Sequence, residues 1–109
     1  MTDLAGLPGA ALVRRGLEDL AERRLSVEAL TVAIASERLR RLGIGLAPAE
    51  LPRDRELALY AALRARHEVG TDAYARYNSL RRELDSFLEA LEARRRRAQR
   101  EASARAGPA

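Results

Sequence analysis

An activated imidazole, a pair of carboxylates, a glycine-rich loop or a thiolate would each give a small protein a route to chemistry. The sequence holds a single histidine, His67, and no cysteine. General acid–base work by a histidine needs a group that orients the ring or takes up its second proton. Its neighbours Arg66 and Glu68 leave a helix on other faces, so His67 reads as a helix-end imidazole that complements the backbone dipole. Without thiols there is no cysteine nucleophile, no disulfide and no cysteine-based metal centre.

Carboxylates share a helical face at Glu18/Glu22, Asp85/Glu89 and Glu89/Glu92. Di-metal helical bundles need inward glutamates together with a Glu-x-x-His step, and Arg64 stands three residues before His67. These acids are therefore expected on solvated faces. Gly43-Ile44-Gly45 follows a helical stretch and runs toward Pro48 and Pro52, whereas a phosphate-cradling loop follows a strand and opens into a helix. The run from Leu25 to Ile44 has the look of the first helix and turn of a helix-turn-helix, but those two prolines fall where the recognition helix would lie. No catalytic, cofactor-binding or metal-ligating residue is expected, and the chain does not read as an enzyme.

The charge pattern carries more information. All 20 basic residues are arginine, a usage that fits a GC-rich genome. The scarcity of Met, Asn, Gln and Cys fits a thermophile, although the general hyperthermophile signature pairs Glu with Lys. Residues 1–93 carry 14 Arg against 15 acidic groups, a balance of −1, and residues 94–109 carry six Arg against Glu101, a balance of +5. The basic excess thus belongs to an Arg-rich extension, 94–109, distinct from a helical domain over 1–93. Arg94, Arg95, Arg96, Arg97, Arg100 and Arg105 are its candidate phosphate contacts, which would make any nucleic-acid binding salt-dependent and independent of sequence.

Helical periodicity predicts the elements that carry these groups. Val13, Leu17 and Leu20 mark a helix over 10–24, with Asp19 and Arg23 as an i,i+4 pair and Gly16 as a weak point costing ~1 kcal/mol. Ser26 is the N-cap of a second helix to residue 42, with Leu25 and Leu30 spaced as a hydrophobic staple and Gly43 as the left-handed stop. Apolar residues line two sides of this helix, so it should lie at the centre. The linker 43–52 holds Ile44, Leu46 and Leu51 and should pack down. A third helix, 53–68, starts after Pro52 with Asp54 and Glu56 in its first turn. It offers one face of Leu57, Tyr60 and Ala61 and another of Leu59 and Leu63. Gly70 ends it and Thr71 caps a fourth helix, 71–95 or beyond.

In that fourth helix Tyr77, Leu80, Leu84, Phe87 and Leu91 follow 3,4 spacing, with Leu88 beside them: a heptad seam. The seam ends where Arg94 takes its next position, and an extension without an apolar face is expected to fray. The chain therefore reads as all-α, a small bundle of about four helices with a long C-terminal helix. A seam larger than its companions can cover predicts self-association or another protein partner, and the Arg tail predicts nucleic acid as the alternative. No membrane span and no secretory signal are expected, and a cysteine-free chain suits the cytoplasm.

Overall fold

The computed structural model describes residues 4–46, 51–66 and 72–106. Among them the chain forms α1 (Ala10–Ala21), α2 (Val27–Ile34), α3 (Ser36–Arg41), α4 (Arg55–Arg66) and α5 (Ala73–Ala106), with no strand. The expected all-α bundle with a long C-terminal helix is present. Pro48, His67, Gly70 and Thr71 lie outside the described residues, and with them the readings placed on those positions.

α1 stops at Ala21, three residues earlier than its periodicity suggests, because the chain turns through a left-handed residue that is not glycine. Arg23 has φ +60°. Its N–H donates to the Leu20 carbonyl at 3.0 Å, and the Arg24 N–H donates to that of Asp19 at 2.7 Å. This crossed pair is a Schellman stop. Held in this conformation, Arg23 is not the partner of Asp19. The Asp19 side chain, 1% exposed, instead accepts from Arg15 Nε at 3.3 Å, Arg24 Nη2 at 2.8 Å and the Ser26 hydroxyl at 2.5 Å. Ser26 caps α2 as expected by accepting the Ala29 N–H at 3.0 Å. Of the two residues spaced as a staple, Leu30 is buried and Leu25 is 45% exposed.

Gly16 proves to be a contact point, not a weak point. A methyl group there would meet the Val32 side chain and lie 2.6 Å from the Glu28 carbonyl. The missing side chain lets α1 and α2 pack backbone to side chain. α2 lies at the centre against α1, α4 and α5, with six of its eight residues buried.

The single helix expected over 26–42 is broken at Ala35, with φ −101° and ψ 21°. Two side chains intrude on the backbone ladder there. Thr31 Oγ1 donates back to the Val27 carbonyl at 2.8 Å, a bond that bends helices. Arg55 Nη1, at the start of α4, donates to the Ala33 carbonyl at 2.7 Å and to Ser36 Oγ at 2.5 Å. Beyond the break α3 ends as the sequence suggests. Gly43, at φ +89°, donates to the Arg40 carbonyl at 3.0 Å, and the Ile44 N–H donates to that of Leu39 at 2.9 Å. Ile44 is buried in the core, and Leu46 and Leu51 pack against it.

α4 buries Leu59 and Leu63, and Tyr60 packs half-buried against the same cluster, whereas Leu57 and Ala61 of its expected face are exposed. Its cap is Asp54, whose Oδ1 accepts the Leu57 N–H at 3.0 Å. Asp72, in turn, caps α5 by accepting the N–H groups of Tyr74 and Ala75 at 3.0 and 3.2 Å. Leu80 of α5 joins Leu12, Val27, Leu30, Leu59 and Leu63. Further along, Leu84, Phe87, Leu88 and Leu91 pack with Val13, Leu20, Val32 and Leu39. One helix thus closes both halves of the core.

Candidate functional site

The heptad residues expected to face a partner helix are filled from within the chain. Leu84 is 1% exposed and Phe87 0%, Leu80, Leu88 and Leu91 are buried as well, and Tyr77 is half-buried. The seam is the floor of the bundle. What α5 leaves open is its two ends.

Past Leu91, its last buried residue, α5 runs on as helix to Ala106. An isolated segment of this length is marginal in water. Here the packed part of α5 supplies the nucleus, and Ala and Arg propagate it well. The stretch expected to fray is helical here as far as Ala106. The arginines of the extension differ in setting. Arg94 and Arg95 are half-buried, whereas Arg96, Arg97, Arg100 and Arg105 are exposed. Arg95 Nη1 donates to the Arg41 carbonyl at 2.8 Å and so caps α3. Arg105 Nε donates to the Glu101 carbonyl at 3.4 Å. Arg96, Arg97 and Arg100 form no ion pair among the described residues.

The joint at which the extension leaves the bundle is clamped by charge. Arg38 of α3 forms a hydrogen-bonded ion pair with Glu92 of α5. The Arg38 hydrogen bond holds the Glu92 carboxyl below its ordinary pKa, and the positive fields of Arg38, Arg96 and Arg41 add to this. The basic surface thus includes the end of α3 as well as the tail, a juxtaposition that a count along the sequence does not reveal.

At the other end of α5, side chains from α4 and α5 line a shallow hollow: Asp54, Glu56, Leu57, Tyr60, Tyr74 and Tyr77. All three tyrosines of the chain meet here. Leu57 and Tyr74 are 62% and 61% exposed, the largest such values among the exposed large hydrophobic side chains described. Tyr60 and Tyr77 meet edge to face, with centroids 6.3 Å apart and planes at 80°. The Arg81 guanidinium sits 5.9 Å from the Tyr77 ring centre and donates to Glu56 Oε2 at 3.1 Å and to the Tyr77 hydroxyl at 3.0 Å. The hollow was not read from the sequence because the spacing of Leu57 and Tyr60 is equally that of a core face. The one available signal was that α4 offers two apolar faces and is short.

No cluster of three or more potential metal ligands occurs among the described residues, and no helix there is long and apolar enough to cross a membrane. The chain matches no protein-family model, no curated protein and no solved structure.

Proposed function

We propose that this chain is a non-enzymatic assembly protein that associates with copies of itself through the projecting part of its long C-terminal helix. The observation that carries this reading is the Arg-bearing helix that continues from Leu91 to Ala106 beyond the core. Since the seam from Leu80 to Leu91 is buried within the chain, the reading assigns the association to the extension instead. A helix held at its root by Glu92–Arg38 and Arg95–Arg41 sets the backbone direction along which its arginines are presented. Less freedom is then lost on docking than a mobile tail would lose. Sedimentation velocity of the full chain over a wide concentration range tests the reading. Its mass is expected to rise with concentration and to fall back to the monomer in high salt. A monomer throughout refutes it.

A second reading has its own support. Arg96, Arg97 and Arg100 are exposed and without ion pairs among the described residues, a suitable state for phosphate contacts. Nucleic-acid binding through the six arginines would show a log–log salt slope no steeper than about −5 on duplex DNA. Binding that ignores salt, or that survives their replacement by glutamine, counts against it. Either role suits a cytoplasmic protein.

A further inference from the structure

We infer that the Tyr–Leu57 hollow is the docking site for the Arg-rich α5 extension of a second copy of this chain, so that assembly runs head to tail. The inference rests on the self-association reading above and adds the receiving surface.

Three observations converge on this pairing. The first is composition. The lining of the hollow includes two carboxylates among apolar and aromatic groups; Glu56 is already paired with Arg81, which leaves Asp54 to meet an incoming cation. The extension is its complement, with six arginines against one acid over residues 94–106. The second is a contact already made. Arg81 lies near the Tyr77 ring and is bonded to Glu56, which is the combination of cation–π and carboxylate contact that an incoming arginine would repeat on Tyr74 or Asp54. Leu57 and Tyr74 supply apolar surface for the stems of the incoming arginines, which pack their methylenes while keeping the charge hydrated.

The third is geometric. Tyr77 and Arg97 belong to one unbroken helix, so about 30 Å separates them at the α-helical rise. The extension cannot fold back onto its own hollow. Two complementary surfaces set at opposite ends of one continuous helix meet between copies. Such a contact is heterologous: each molecule uses its tail on one neighbour and its hollow on another, and the chain grows or closes into a ring according to its rotation.

The test uses two full-length variants altered only at exposed positions, with circular dichroism to verify the fold. One is Leu57→Ser with Tyr74→Ser, and the other is Arg96→Gln with Arg97→Gln and Arg100→Gln. Each alone is expected to weaken assembly by at least about tenfold. Mixed together they are expected to form a one-to-one heterodimer and nothing larger, because the mixture contains one intact hollow and one intact extension. If the arginine variant fails to assemble while the hollow variant assembles like the parent, the receiving surface is elsewhere and only self-association through the extension survives. If the mixture forms no heterodimer, the contact is not head to tail. A parent chain that stays monomeric while it binds duplex DNA through the same arginines overturns both proposals.

Discussion

The Ser26 hydroxyl serves two partners at once, donating to Asp19 Oδ2 at 2.5 Å and accepting the Ala29 N–H at 3.0 Å. It therefore joins the last turn of α1 to the first turn of α2. Ser26→Ala should cost about 1 kcal/mol for the cap alone. Asp19→Asn should cost more than Ser26→Ala, since it also removes the charge that Arg24 and Arg15 oppose. Chemical denaturation of both single variants and the double variant checks this. A double variant equal to the sum of the singles would show that the two side chains are not coupled.

Acid should unfold the protein partly through the same group. The hydrogen bond from Ser26, then that from Arg24, holds the Asp19 carboxyl below its ordinary pKa in spite of burial. A carboxyl with a depressed folded pKa contributes stability that is present above the unfolded value, near 3.9, and lost as pH falls through the folded one. Glu92 acts in the same sense through Arg38. Stability should therefore be level from neutrality to about pH 5 and fall below about pH 4, with a shallower fall in Asp19→Asn. Urea midpoints measured across this range decide the matter, and an unchanged slope in the variant would remove Asp19 from the account.

Gly16→Ala reverses the usual helix rule. Alanine gains about 1 kcal/mol in an exposed helix interior, but here its methyl group would lie 2.6 Å from the Glu28 carbonyl. Forced separation of packed elements costs about 1–3 kcal/mol, so a net loss in melting temperature is expected. A rise would mean that α1 and α2 can slide apart freely.

Arg23→Gly should go the other way. Arg23 occupies the left-handed region at φ +60°, which costs a residue with a side chain about 1–2 kcal/mol relative to glycine. Greater freedom of the unfolded chain returns part of that gain. A rise of a few degrees in melting temperature is the expected outcome, read by calorimetry.

Phe87→Ala tests where the seam belongs. Phe87 is fully buried within the chain, so its truncation should cost about 3–5 kcal/mol of stability. That loss should be the same at every protein concentration. A loss that disappears in concentrated protein would return Phe87 to an interface between copies.

The features legible in the sequence were those written in neighbouring residues. Ser26 as a cap, Gly43 as a stop and the 3,4 spacing of Leu80, Leu84, Phe87 and Leu91 follow from local backbone chemistry and helical period. What escaped depends on groups distant in sequence. Ala35 is good helix-forming material, and the break there is completed by Arg55, which arrives from another helix. A left-handed Arg23 carries no glycine to announce it. The seam was legible as apolar, but whether it faced a neighbour within the chain or outside it depended on how fully α1 to α4 could cover it. The hollow was hidden for the converse reason, since Leu57 and Tyr60 repeat at a core spacing, yet Leu57 stands exposed while Tyr60 packs only half-buried against the core.

The unbroken α5 also makes distance and direction inseparable. Each residue added to the extension after Leu91 would move the arginines outward by about 1.5 Å and turn them by about 100°. A single insertion would thus aim Arg96, Arg97 and Arg100 at a different side of the molecule while scarcely changing its length. Seven inserted residues, close to two full turns, would restore their aim and displace them by about 10 Å. The helix is in this sense a screw thread, and whatever meets its tip is held at a fixed pitch from the bundle.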